Sequence, residues 1–372
     1  MDAMTSRVDE SPAACAPVSS HNEWDVLEEV IVGNPAGAMV PSDLSVLEAT
    51  VPSHHWPMLN DLFPGLQGRY PEELVAAAQE DRPEFVAILQ GEGVTVLDTP
   101  AFSFEAETAT PFWRTSSGFC AANPRDSLLL IGSLLIEAPM CDRSRYFETF
   151  AYRPILHQLS RRGATWIAAP KPMLKDDVFR SPLARDRQSR PTEWLVGENE
   201  ILFDGADFMR CGRDIFVTRS HVTNDAGIDW VEQVLGDGYR VHRITTRNPY
   251  AMHIDDTMMP LRPGLLLVSP DYLDSSALPA IFKSWDVIEA PRPRYTETNV
   301  LGSLSGWLNV NLLSLDGKRV IVEREQTETV ALLRDLGFHP ITCAFESYYP
   351  FIGSFHCATL DVRRRGTLES YF

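Results

Sequence analysis

A chain of 372 residues with 44% hydrophobic content is long enough to bury a large core. Its 33 Lys and Arg against 51 Asp and Glu leave a formal charge of −18, which repels phosphate backbones and argues against a nucleic-acid partner while favouring cationic ligands. No apolar run approaches the roughly 18 residues of a spanning helix, so no membrane partner is expected.

Residues 1–20 are polar, carry Asp2, Asp9 and Glu10, and lack the apolar stretch of a secretory signal and the arginines of a transit peptide. They are expected to form a disordered tail ahead of a single domain over 21–372. Cysteines 15, 120, 141, 211, 343 and 357 are scattered without a CxxC pair, as suits free thiols in a reducing cytoplasm. Val26 to Gly33 reads as a first strand. Four strand–turn–strand pairs follow: Ser127 to Ile136 breaking at Gly132-Ser133, Ile201 to Thr218 at Cys211–Asp214, His253 to Ser269 at Arg262–Gly264, and Trp307 to Glu323 at Asp316-Gly317. Phe355 to Val362 is a last strand that can pair with the first. Helical spacing appears between pairs, over Arg145 to Arg162 before Gly163, over Ile228 to Leu235 after Asn224 and Asp225, and over Thr327 to Leu336 before Gly337. A hairpin plus helix repeated about five times predicts an α/β fold of repeated units around an axis, closed by the first and last strands.

Reactive residues gather where these hairpins begin: Asp126, then Asp204 and Asp207, then His253, Asp255 and Asp256, then Ser303 and Ser305, then His356 and Cys357. If the units circle an axis, these positions converge at its centre. Charged groups set in apolar strands are costly unless paired or functional. Taken singly, each has a structural reading: a buried thiol, a satisfied core histidine, turn-capping aspartates. Zinc ligation by His253, Asp255, His356 and Cys357 lacks the compact ligand pairs of structural sites.

The stretch from Phe355 through His356, Cys357, Ala358 and Thr359 to Arg363-Arg364-Arg365-Gly366 resembles the active-site cysteine segment of the arginine:glycine amidinotransferase family. Phe203-Asp204-Gly205-Ala206-Asp207-Phe208 is similar to that family's catalytic-aspartate segment, and Met252-His253-Ile254-Asp255 to its histidine segment. The order matches across nearly everything after the tail. The resemblance implies a five-bladed α/β propeller of ββαβ-type units (pentein-like), shared with arginine deiminases. It also implies a nucleophile at Cys357, a catalytic pair at His253 and Asp204, donor-binding aspartates at Asp126 and Asp255, no metal or organic cofactor, and a homodimer. A thiolate suits attack on a guanidinium carbon, and His253 could protonate the departing amine.

Around the pocket the sequence departs from the family. Tyr272 follows Pro270-Asp271 where the glycine-using enzymes carry arginine. Only Ser305 remains of paired serines, Tyr250 replaces asparagine beside Met252, and Ile352 enters the glycine run before Phe355-His356-Cys357. The expectation is L-arginine as donor, L-ornithine released, and an acceptor amine larger than glycine, as in natural-product (toxin or antibiotic) biosynthesis. A guanidine hydrolase of the same fold and a non-catalytic guanidine-binding protein are the alternatives.

Overall fold

The structure, a computed structural model, describes residues 16–180, 193–295 and 306–372. Five three-stranded sheets share one plan. Each joins an antiparallel pair to a third, parallel strand. In the first unit Val26–Val32 pairs with Thr359–Arg365 and with Thr95–Asp98, so the two ends of the chain meet in one sheet. The second unit holds Leu128–Ile131, Leu134–Glu137 and Thr165–Ala168, and the third holds Phe208–Cys211, Asp214–Thr218 and Arg240–Ile244. Met258–Arg262, Leu265–Val268 and Asp286–Glu289 make the fourth, and Leu313–Ser314, Arg319–Glu323 and His339–Cys343 the fifth.

A two-residue period in the inner strands explains why the units form a ring. Leu128 and Leu130 pack with Ile31 and Leu360 of the first unit, whereas Leu129 and Ile131 pack with Phe208, Ile215 and Val217 of the third. Met209 and Phe216 turn the other way, into a core shared with the fourth and fifth units. Val320 and Val322 join that core, while Ile321 packs with Val30 and Val32 of the first unit. Alternate side chains of a strand point to opposite faces. A strand apolar on both faces therefore binds two neighbours, and five such units close on themselves.

Hairpin turns fall where expected, but the strands are shorter. Residues 253–257 and 307–312 lie ahead of the strands, around turns at 255–257 and 308–310, and Cys357 lies in the turn before its strand. The helix expected from Arg145 is α-helical only over Arg153–Arg161, after 3-10 turns; Pro154 lacks an N–H and is tolerated in the first turn, which sets the start. The helix Asp225–Leu235 begins at its cap, Asn224, whose side chain accepts from the Gly227 N–H at 2.8 Å. In the fourth unit 3-10 turns over Ser275–Ala277 and Ala280–Ser284 replace the expected helix. Within the expected tail, Val18 and Ser20 are buried, and the N–H groups of Ser19 and Ser20 donate to Val362 O and Gly132 O. Ser303 and Ser305 lie outside the described residues. Among those described, no helix is long and apolar enough to cross a membrane.

Candidate active site

In every unit the chain makes a tight turn just before its first hairpin strand, or, in the first unit, before the strand that closes the ring. These turns place Asp126 ahead of Leu128, Asp204 ahead of Phe208, His253 and Asp255 ahead of Met258, Asn311 ahead of Leu313 and Cys357 ahead of Thr359. All six are nearly fully buried. Ring closure brings them together. One side-chain atom each of Asp126, His253 and Cys357 lie within 4.8 Å of one another. His253 Nε2 donates to Asp204 Oδ2 at 3.1 Å, and its Nδ1 stands 3.7 Å from Asp126 Oδ1. The Cys357 thiol donates to Asp255 Oδ2 at 3.2 Å.

Electrostatics follow from this crowding. Burial opposes a charge on His253, but Asp126 and the bonds to Asp204 and Cys357 outweigh it and hold the imidazole well above its ordinary range. Burial, then the Asp255 carboxylate, push the Cys357 thiol up, against the pull of His253. Burial also raises Asp126, although His253 and Arg145 favour its charge. Arg145 donates to Asp126 at 3.0 Å and to both oxygens of Glu148 at 2.7 Å. The Oδ1 atoms of Asp126, Asp204 and Asp255 are buried without a hydrogen-bond partner among the described residues. Unpaired buried acceptors are costly. Those of Asp126 and Asp255, whose carboxylates stand beside the thiol, make a receptor for a planar group rich in N–H donors. Asp126, His253 and Cys357 also bring three potential ligand atoms together, a set the sequence reading did not combine, but the raised proton affinities of His253 and Cys357 oppose metal binding.

Sequence reasoning missed two residues that brace the site, one on the thiol and one on its neighbour His356. Asn311 Nδ2 donates to Cys357 Sγ at 3.0 Å, while its Oδ1 accepts from the backbone N–H groups of His356 and Cys357 at 3.1 Å each. Its signal was positional: it opens the fifth unit's hairpin, where the serines were expected to. Glu23 is the second. His356 Nδ1 donates to Asp255 at 2.7 Å and Nε2 to Glu23 at 3.2 Å. Glu23 in turn pairs with Arg210, and Asp361 binds Arg125, Arg210 and Arg364. The three consecutive arginines 363–365 are thus ion-paired, Arg363 and Arg365 to Glu28. Gly353 lies so close to Cys357 that any Cβ there would meet Asn123 Oδ1 and Cys357 Cβ at 2.6 and 2.8 Å.

A cavity opens onto Cys357, His253 and Asp255. Tyr250, Met252 and Tyr272, the expected contact residues, line it together with Asn248, Asp256 and Leu308. Burial and Asp255 push Asp256 up to about 8. Asp204 lines an adjoining recess with Arg145 and Met252. No lysine or arginine lines the main cavity among the described residues, and Tyr272 brings no positive charge to it.

No protein-family model matches the chain. Among curated proteins, the L-arginine:L-lysine amidinotransferase of Pseudomonas savastanoi pv. phaseolicola is 40% identical over 357 residues, covering 96% of this chain and 97% of its own. Among solved structures, SxtG, an amidinotransferase of the saxitoxin biosynthetic pathway of Microseira wollei, superposes with a TM-score of 0.91 at 50% identity, over 96% of this chain and all of its own. The inosamine-phosphate amidinotransferase StrB1 of Streptomyces griseus gives 0.82 at 34% identity, over 95% and 99%. Identity at this level over nearly the whole of both partners, on the same five-unit fold, establishes that the chain belongs to the amidinotransferase family.

Proposed function

We propose that this enzyme moves the amidino group of L-arginine onto Cys357, releases L-ornithine, and passes the group to an amine other than glycine. The observation that carries the reading is a buried thiol beside a carboxylate-held imidazole, ringed by carboxylate oxygens that lack donors. Arginine as donor is supported by the relative named for it.

In the first half-reaction the guanidinium lies against Asp126 and Asp255, whose free oxygens accept its N–H groups. Its positive charge offsets the burial and the Asp255 charge that raise the Cys357 thiol, so the thiol proton leaves to solvent as the donor binds. The thiolate attacks the guanidinium carbon. The C–N bond to the side-chain nitrogen breaks as His253, held charged by Asp126 and Asp204, gives that nitrogen its proton. In the second half the acceptor amine attacks the amidino carbon, the now neutral His253 takes a proton from it, and Cys357 leaves as thiolate. Asp204 keeps the imidazole oriented throughout.

Product analysis tests the reading against hydrolysis. With arginine and a competent amine, ornithine and an amidinated amine should form in equal amounts. Citrulline formed at a rate independent of added amine would instead mark a guanidine hydrolase.

A further inference from the structure

We infer that the acceptor is an amine carrying an apolar body of several carbons, gripped between Leu66 and Ile352. This rests on the amidinotransferase reading and specifies the substrate class of its second half-reaction. Residues 40–68 leave the five-unit ring as one excursion, pinned at its base by Val40 N–H to Gly68 O at 2.8 Å and Tyr70 N–H to Ala38 O at 3.2 Å. Short helices within it, Ser45–Thr50 and Trp56–Leu62, present Leu47, Val51, Leu59 and Phe63 to the cavity above Cys357. The excursion adds an apolar wall to a site whose floor is acidic.

Backbone strain marks two residues of the cavity lining, one in the excursion and one shortly before Cys357. Of the four non-glycine residues with positive φ among those described, Leu66 (φ 47°) and Ile352 (φ 62°) both line this cavity. A β-branched residue in the left-handed region is a true outlier. Ile352 occupies a position where the family resemblance led us to expect glycine, which would adopt this backbone freely. Asn123 holds the strained turn by donating to the carbonyls of Phe351 and Ile352 at 2.7 and 3.1 Å, and the Tyr70 hydroxyl ties the excursion to it through Pro350 O at 3.1 Å. Such strain persists only where the surroundings enforce it, and it gathers at functional sites. Here it sets two apolar side chains in the lining of the cavity that holds the nucleophile.

The test separates the half-reactions. Enzyme is first charged with arginine alone, and formation of the amidino adduct is confirmed by intact mass. The adduct is then discharged with methylamine, propylamine and hexylamine, which share nearly the same basicity, and with glycine. In the wild type the discharge rate constant should rise about three- to four-fold per methylene until the wall is covered, with glycine below propylamine. Leu66→Gly and Ile352→Gly suit their backbone angles, so both variants should fold. In each, the hexylamine-to-methylamine ratio should fall at least about ten-fold. Because that ratio is taken within one protein, folding yield and donor charging cancel. Glycine or methylamine discharging the adduct as fast as hexylamine, or a chain-length dependence that survives both substitutions, would overturn the inference and leave the amidinotransferase reading standing. Failure of arginine to form the adduct would overturn both.

Discussion

Burial and the Asp255 carboxylate raise the Cys357 thiol, and Asp126 with Asp204 raises His253. The nucleophile must lose its proton and the acid must keep one, so both limbs of the pH profile move to the alkaline side. Accordingly kcat/KM should be maximal above neutrality; an optimum below pH 7 would contradict these assignments. Asp204→Asn removes a bond that favours the charged imidazole. It should cost about 10²- to 10⁴-fold in kcat and shift the descending limb to lower pH, measured by steady-state kinetics across pH; an unchanged limb would mean that Asp204 does not act through His253. Sequence made Cys357 legible only in company. Alone it resembles Cys120 or Cys211, which are equally buried. The ordered set of Asp204, His253 and Cys357, each before a strand, separated it from them. Asn311 escaped notice because an asparagine before a strand looks like any turn residue; only ring closure brings its amide to the sulfur.

At the scale of elements, the helix Asp225–Leu235 and the strand end carrying Asp204 are tied through one side chain. Asn224 caps the helix and also bonds the backbone of Gly197, Glu200 and Leu202. Asn224→Ala should destabilise the protein by about 1–2 kcal/mol, read by denaturant unfolding, with kcat falling because the Asp204 segment loosens. A loss of stability with kcat intact would show that the cap does not position the site. This helix and its cap were readable from residues alone, as were the hairpin turns at Gly132-Ser133, Cys211–Asp214 and Asp316-Gly317. The excursion over 40–68 was not. Its helices of six and seven residues are too short for a periodic signal, and their apolar residues divide between two cores and the cavity lining rather than forming one stripe. The fourth unit lost its expected helix to 3-10 turns for a different reason: Pro270 and Pro279 interrupt the segment.

For the whole molecule, five apolar interfaces form a ring, and buried charges fill its middle. Arg210 bonds both Glu23 and Asp361 there, so Arg210→Met strips Glu23 of its paired guanidinium, although Asp361 keeps Arg125 and Arg364, and should cost about 3–5 kcal/mol. Equilibrium unfolding checks this, and a cost below about 1 kcal/mol would show that the network relaxes around the gap. Stability should also depend on pH through Asp256. Its folded pKa is raised to about 8, so the folded state binds more protons than the unfolded state between that value and the ordinary 3.8. This group therefore lowers stability as pH rises through that window, and Asp256→Asn should raise Tm at pH 8 but not at pH 4. An equal gain at both would place the effect elsewhere.

The central claim is a covalent amidino group on Cys357, and intact-mass measurement after incubation with L-arginine alone tests it most directly. Wild-type enzyme should gain the mass of one amidino group, mapped by digestion to the peptide holding Cys357, with ornithine released in equal amount, whereas Cys357→Ala should gain nothing and transfer nothing. An unmodified wild type that still transfers the group once amine is added, or a Cys357→Ala enzyme that remains active, would contradict the account.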